Sequence, residues 1–416
     1  MKNFMRIEAQ QRQNLLILFA TGLLFWSSLA SMLPTLPPYI EDVGGTKQQV
    51  GIVMGSFAIG LLFFRPILGQ LADHKSRKLV VIIGTVVAAI APLGYLVVHS
   101  IGLLMALRIF HGISIAAFTT GYLALVTDLS PVNQRGELIG YMSLVTPIGM
   151  ALGPAVGGLV QAGAGYAPLF LFAAGLGLLG TIFAQQVSEP EIARVSGSKT
   201  DPLSLKVLWQ LLVSPRLRIP ALVLLLVGLA VGSLTTFIAL FIRETGLNFN
   251  AGWFFTTAAI ASFTMRLVVG RASDRYGRGL FITGSLVCYG VSMLMIAGAK
   301  SPQGFLLAGI LEGAGAGTLM PMMVTLISDR ATPSERGQVF AVSISGLDLG
   351  IAIAGPVFGS IANQVGYEGI FSLTAALTFL ALIIFITQSS KDVSHSLRFA
   401  TGRAGDIYAL RHLSKP

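Results

Sequence analysis

Apolar runs of about twenty residues, separated by short polar stretches, fill this chain from residue 14 to residue 388. Twelve of them are long enough to cross a hydrocarbon core about 30 Å thick as α-helices. In the first half they are 14–38, 49–72, 79–98, 101–127, 136–160 and 166–187. In the second half they are 217–242, 251–273, 280–299, 303–328, 338–362 and 367–388. The pattern predicts an all-α integral membrane protein of twelve transmembrane helices. Residues 1–13 are polar and carry Lys2, Arg6 and Arg12. The first run resembles a secretory signal with a cut after Ala30. Eleven further runs follow it, and Pro34, Pro37 and Pro38 continue it outward, so it is expected to be retained.

The polar stretches repeat. Gly69-Gln-Leu-Ala-Asp73-His-Lys-Ser-Arg77-Lys returns 201 positions later as Gly270-Arg-Ala-Ser-Asp274-Arg-Tyr-Gly-Arg278-Gly. The same offset relates Gly51 to Gly252, Arg65 to Arg266, Gly112 to Gly313, Asp128 to Asp329 and Arg135-Gly136 to Arg336-Gly337. With one residue of slippage, Gly153-Pro154 matches Gly355-Pro356. Each half has six spans, an even number, so the second copy starts on the same side as the first. The repeats are parallel, about an axis along the membrane normal. The expected organisation is a six-helix half over 1–187, a linker over 188–216, a second half over 217–388 and a tail over 389–416. Glu189-Pro190 ends the sixth span and Ser196-Gly197-Ser198 is flexible in composition. The polar, basic tail is expected to be mobile.

Composition fits lipid as the solvent. Charged residues are 11% of the 416 and hydrophobic ones 54%, against about 25% charged in a soluble protein. The 48 glycines suit closely packed membrane helices. The net charge of +10 is no nucleic-acid signal, because its Lys and Arg sit in short loops without interleaved aromatics. With the N-terminus inside, 22 of them fall inside and only Lys47, Arg243 and Lys300 outside. That bias places both termini in the cytoplasm. The absence of a transit-like leader favours a bacterial cytoplasmic (inner) membrane. The single Cys288 excludes a disulfide within the chain and a cysteine metal cluster, and reads as a small packing residue.

These motifs resemble the major facilitator superfamily, and within it the twelve-helix drug/proton antiporter branch. Gly69, Leu71, Asp73, Arg77 and Lys78 match the family's loop signature between helices 2 and 3, with His74 and Ser76 departing from it. Leu104, Arg108, Gly112 and Ala116-Ala117 match the helix 4 signature, with His111 where Gln is usual. Gly149, Gly153, Pro154, Gly157 and Gly158 match the helix 5 signature, which the resemblance associates with exporters. The branch's acidic residue in helix 1 is missing, since Leu15 to Tyr39 holds no carboxylate. The resemblance implies the major facilitator fold with a central cavity, alternating access and proton-coupled transport.

Residue chemistry refines this. Asp73, with its counterpart Asp274, stands where a carboxylate can hold a neighbouring arginine and a helix N-terminus, making a gate. Gly69 and Gly270, one turn earlier, are expected where helices come close. Arg77 and Arg278 are gate or anchor residues. Arg65 and Arg266 lie two turns before the motif aspartates, and either gate or snorkel to the headgroups. Four deep polar residues have no like partner in the other half: Arg108, His111, Glu312 and Asp348. Glu312 is the repeat partner of His111, so the two are expected to face each other across the cavity. It lies about nine residues, or roughly 13 Å, into its span. An ionised carboxylate there needs a partner, so it can carry a proton or bind a cationic substrate. The alternative is a neutral Glu bonded to the backbone. Asp348 either pairs with an arginine or is a second proton site, and its face with Ala352 and Gly355 is small. Arg108 can hold an anionic group. His111 can relay protons or simply pack. The helix 5 glycines form a smooth groove for a sliding or tightly packed neighbour. Phe25, Trp26, Phe237 and Phe241 either line the cavity or face lipid.

There is no Walker A pattern, no nucleophile elbow and no metal-ligand spacing among His74, His99, His111, His395 and His412. An enzyme is not expected, nor a cofactor or metal. The expected function is proton-coupled export of a small organic molecule or drug, with substrate, protons and lipid as partners, no nucleic acid, and a monomeric state. The alternatives are a sugar, glycoside or siderophore transporter, and a non-transporting sensor or assembly factor using the tail residues Arg398, Arg403, Arg411 and Lys415.

Overall fold

The computed structural model describes residues 9–131, 134–189, 213–332 and 336–410, without the side chains of 271, 274, 336–338, 341 and 342. All regular structure among them is helical. Helices α1 (Ala9–Ser31) and α2 (Leu36–Asp42) form the first span, broken before Pro37 and Pro38, which sit in the first turn of α2 where a missing N–H is harmless. α3 (Lys47–His74), α4 (Arg77–Val97) and α5 (Ile101–Leu129) follow. The fifth span, expected as one helix, divides into α6 (Arg135–Met142) and α7 (Val145–Ala164), and α8 (Tyr166–Gln186) is the sixth.

The second half comprises α9 (Arg218–Glu244), α10 (Ala251–Tyr276), α11 (Arg278–Ala297) and α12 (Pro302–Asp329). α13 runs from Arg336 to Gln388, with a non-helical turn at Gly366 (φ 67°) that a glycine adopts without strain. Among the described residues eleven segments are long and apolar enough to cross a membrane, and the last, Ser343–Gln388, has 46 residues. At 1.5 Å per residue that is about twice a bilayer core, so Gly366 divides it into two spans. A short helix, α14 (Val393–Ala400), folds after it. The described part of the tail is therefore not mobile chain: Phe399 is buried and packs with its ring 6.0 Å from that of Phe385. The reason is its amphipathic spacing, which hides Ser396, Phe399 and Ala400 together.

The chain divides into two compact units, residues 1–197 with 249–256, and residues 198–248 with 257–416. In lipid, apolar helices gain little by hiding from one another, so close backbone approach does the work. In the first unit α7 presents Gly149, Gly153 and Gly157 to α1. A Cβ added at Gly153 would lie 2.7 Å from the Ser27 carbonyl oxygen, and one at Gly157 would collide with that of Ser31. In the second unit Gly228 and Gly232 of α9 meet Leu347, Gly350, Ile351 and Ala354 of α13 in the same way. That contact is made by a second small face of α13, beside the expected one of Asp348, Ala352 and Gly355. The packing stripe is Gly346, Gly350 and Ala354, turned away from Asp348. Gly157→Val should destabilise the protein by about 1–3 kcal/mol, the usual range for overpacking. Thermal unfolding in detergent checks this against Gly163→Val, where nothing lies within 4 Å.

Candidate functional site

Three arrangements of polar or aromatic side chains lie within the units. The first stands at the ends of the helices beside the two motif loops. Arg77, opening α4, pairs with Asp128 near the end of α5 and donates to the Ala124 carbonyl at 3.5 Å. Arg278, opening α11, pairs with Asp329 at the end of α12 and donates to the Thr325 carbonyl at 3.0 Å. All three positions are 201 apart, so the sequence repeat is a repeated ion pair. The carboxylates face helix C-terminal carbonyls and need a cation beside them; the arginines bond both.

Asp73, the acid expected at this gate, is not part of either pair. Asp73 is exposed and makes no hydrogen bond or ion pair among the described residues. The gate arginine is held instead by Asp128, which is fixed on a helix that already packs on α4, while Asp73 projects from the last turn of α3. The side chain of Asp274 lies outside the described residues. Among the described residues nothing lies within 4 Å of a Cβ built on Gly69 or Gly270. Arg65 is half-buried on α3, and Arg266 is exposed on α10.

The second arrangement is buried in the first unit. His111 is fully buried, with its Nδ1 3.3 Å from the Tyr95 hydroxyl of α4. Arg108, one turn earlier and 8% exposed, lies 4.4 Å over the Phe57 ring of α3. Both therefore point into the seam between α3, α4 and α5, where Gly112 brings α5 against the Phe57 carbonyl. Tyr39 of α2 donates to the Tyr95 carbonyl at 2.7 Å and closes the cluster. Arg108 Nε and His111 Nε2 are buried without hydrogen-bond partners among the described residues.

At the matched place in the second unit, Glu312 of α12 is 9% exposed. It has no hydrogen-bond or ion-pair partner among the described residues. Gly313 and Gly317 on one side of Glu312 seat α12 against α10 at Ala258 and Ser262, and Gly315 seats it against Tyr289. The surrounding backbone is thus fixed, and Glu312 is the polar exception in an apolar stretch. His111 and Glu312 belong to different units, and each is placed here within its own. Asp348 is half-buried on α13.

The third arrangement is a pocket of about 180 Å³ in the first unit. Trp26 of α1, Phe118, Thr119 and Tyr122 of α5, and Ile139, Met142, Ser143 and Thr146 around the α6–α7 break line it. Phe25 stacks on Phe118 with centroids 3.9 Å apart, and Phe118 on Tyr122 at 4.9 Å. Of the four aromatics singled out in the sequence, only Trp26 lines a described pocket. Phe25 and Phe237 are fully buried, and Phe241 packs on Phe305 and Phe371 inside the second unit. Neighbouring rings on adjacent helices cover them, which single-helix reading does not reveal. Phe118 and Tyr122 carry no sequence signal beyond their i, i+4 spacing.

Gly149, Gly153, Pro154, Gly157 and Gly158 are all buried. Beyond the α1 contact, their helix also meets the 249–256 segment that belongs to the same unit: Thr256 donates to the Ala151 carbonyl at 2.9 Å.

A family model described as Major Facilitator Superfamily matches residues 16–254 and 246–415. The quinolone resistance protein NorA of Staphylococcus aureus is 30% identical over 206 residues, 49% of this chain and 53% of that protein. The match thus spans about half the length of that relative. The multi-drug resistance efflux pump PmrA of Streptococcus pneumoniae is 26% identical over 391 residues, 92% of this chain and 97% of that protein. Among solved structures, a mutant form of the nucleoside transporter NupG superposes with a TM-score of 0.78 at 17% identity, covering 90% of this chain and 99% of that one. The human organic anion transporter MFSD10 gives 0.63 at 19% identity, covering 91% and 100%. At these identities the structures establish the shared fold.

Proposed function

Because the chain belongs to the Major Facilitator Superfamily, a family of transporters and not of enzymes, we propose that it is a proton-coupled secondary transporter that exports small lipophilic molecules. Glu312 carries this reading. It is a buried carboxylate in mid-helix with no ion-pair or hydrogen-bond partner among the described residues. Ionising such a group in a membrane costs several kcal/mol unless a compensating charge arrives. A cationic substrate or a conformational change that admits water supplies it, so proton release is coupled to substrate capture. Asp348 either pairs with an arginine or adds a second proton site. The export direction is supported by the helix 5 glycine motif and by the similarity to two proteins named for drug resistance and efflux. The membrane is the bacterial cytoplasmic one, with the basic loops inside.

The aromatic pocket beside Trp26 and Tyr122 gives the substrate a flat, apolar face to stack on. Trp26→Ala should raise the half-saturating concentration of a planar substrate by about tenfold, the worth of one lost ring contact, with the maximal rate little changed. Transport over a substrate concentration series reads both.

Everted membrane vesicles with an imposed proton gradient test the function as a whole. Lipophilic cations should collapse the gradient when the protein is present. Collapse by glycosides or siderophore-like anions alone would replace drug export with dedicated metabolite transport. The absence of any response would favour a non-transporting role.

A further inference from the structure

In each unit the chain that leaves the sixth helix turns back onto the start of the third. We propose that Glu189 in the first unit, and the Arg330–Asp406 pair in the second, are positioning residues that brace the two motif loops through these returning segments. The proposal rests on the transport reading only for its effect on rate; the brace itself is a matter of geometry.

In the first unit the brace is direct. Glu189, three residues past the end of α8, places its carboxylate on the N-terminus of α4. Oε1 accepts from the Arg77 backbone N–H at 2.7 Å, and Oε2 accepts from the Ser76 hydroxyl at 2.5 Å. Ser76 Oγ in turn accepts from the Leu79 N–H at 2.9 Å, capping the helix. A carboxylate at that end also meets the positive pole of the helix. Two further contacts hold the returning segment in place. Lys78 Nζ donates to the Gln185 carbonyl at 2.7 Å, and Asn14 exchanges two bonds with the Ser188 backbone, at 3.3 and 3.1 Å. The residue that receives the brace, Arg77, is the same one that pairs with Asp128.

In the second unit no carboxylate caps α11 among the described residues. The tail does the equivalent work with its backbone. Thr283 Oγ1 donates to the Ala400 carbonyl at 3.0 Å, and a side chain at Gly279 would collide with the Phe399 carbonyl. Gly402, at φ +73°, passes so close to Tyr276 that an added Cβ would lie 2.6 Å from its carbonyl oxygen. The tail is held there by Arg330, the residue after α12. Its side chain is fully buried and among the largest that are. Nε and Nη2 donate to the two Asp406 oxygens at 2.7 and 3.0 Å, Nη1 to the Arg216 carbonyl at 2.8 Å, and Nη2 also to the Ser389 carbonyl at 3.1 Å. The Tyr408 ring lies 5.1 Å from the guanidinium. One buried cation thus ties together the approach to α9, the end of α12, the exit of α13 and the tail. A buried guanidinium is stable only while its carboxylate is present, so Asp406 sets whether the tail stays docked. Position 330 has no basic counterpart in the first half, where Leu129 stands. The two units reach the same brace by different chemistry.

Hydrogen exchange on the purified full-length protein reads each loop separately. In Asp406→Asn the amides of residues 277–283 should exchange about tenfold faster, as expected when a local opening loses a buried charge-assisted pair. Those of residues 77–83 should stay within about twofold. Glu189→Gln should give the mirror result. Gly402→Val, which pushes the tail off Tyr276 by sterics without removing the charge of Asp406, should reproduce the Asp406→Asn pattern, and decides the case if Asp406→Asn does not fold. Equal acceleration of both segments in each variant, or no change in either, overturns the proposal, because a general loss of stability does not choose between loops. In vesicles, both braced-loop variants should lower the maximal transport rate and leave the half-saturating concentration unchanged. Faster loop exchange with an unaltered rate overturns the positioning role. Failure of the parent protein to transport at all would strike the functional reading and leave the exchange result standing.

Discussion

Glu312→Gln is expected to cut gradient-driven transport by about two orders of magnitude, the scale on which positioned proton carriers matter, and to flatten its pH dependence. The substitution keeps the shape of the side chain and removes only its ability to ionise. Packing should therefore survive: Gly313 and Gly317 still seat α12 on Ala258 and Ser262, and Gly315 still meets Tyr289. The sign follows from the mechanism. With Glu312 present, exporting turnover needs the carboxylate to lose its proton on the side of substrate uptake, so the rate depends on pH there. An amide in its place neither loses nor gains a proton, so the residual rate should be the same across the pH range. Glu312→Asp should retain the pH dependence at a lower rate, because the shorter side chain displaces the same chemistry by one methylene. Vesicle assays at several internal and external pH values separate these outcomes. An unchanged pH profile in Glu312→Gln would move the proton site to Asp348 or elsewhere.

Reversing one member of a repeated ion pair should be damaging, and reversing both should restore much of the loss. Arg77→Asp places two carboxylates together beside helix C-terminal carbonyls, where negative charge is already disfavoured. Arg77→Asp with Asp128→Arg restores an attraction in the opposite sense. The same cycle applies to Arg278 and Asp329. Side-chain exposure is 28% and 11% in the first pair and 18% and 16% in the second. A coupling of about 1–2 kcal/mol is therefore expected, between the values for exposed and for fully buried pairs. Unfolding of the single and double variants measures it directly. Asp73→Asn, by contrast, should leave unfolding nearly unchanged, because Asp73 has no partner among the described residues. A large loss of stability in that variant would contradict the assignment of the anchoring acid to Asp128.

Legibility in the sequence followed the range of the underlying physics. The twelve spans were readable because lipid imposes a length and a polarity on each helix independently of the others. The breaks were not. The division at Ser143–Leu144 and the continuous run through Gly366 depend on how neighbouring helices support the backbone. The glycine stripe of α7 was visible at its i+4 spacing, and it packs on α1 as that spacing implies. On α13 the sequence singled out the small face of Asp348, Ala352 and Gly355, while the stripe that packs on α9 includes Gly346 and Gly350; only the partner helix selects that phase.

The candidate site divides in the same way. Glu312 was legible because a lone carboxylate in an apolar helix is expensive whatever surrounds it. Asp128 and Asp329 were visible only as repeat markers. Their role as partners of Arg77 and Arg278 depends on two helices meeting end to end. Phe25 and Phe237 were left between a cavity wall and a lipid face and are fully buried in packing, since an aromatic on one helix carries no mark of which neighbour covers it.

By itself, then, the chain determined its solvent, its number of crossings, its internal duplication and its one deep mid-helix glutamate. Each of these follows from local composition or from comparison of the chain with itself. Tertiary structure alone decided that Asp128 pairs with Arg77 at the first loop, that Arg108 and His111 point into a helix seam, and that Arg330 finds its carboxylate at Asp406, 76 residues away. Those outcomes depend on which side chains distant segments bring within about 3 Å of one another, the reach of a hydrogen bond, and a sequence read along its length does not contain that distance.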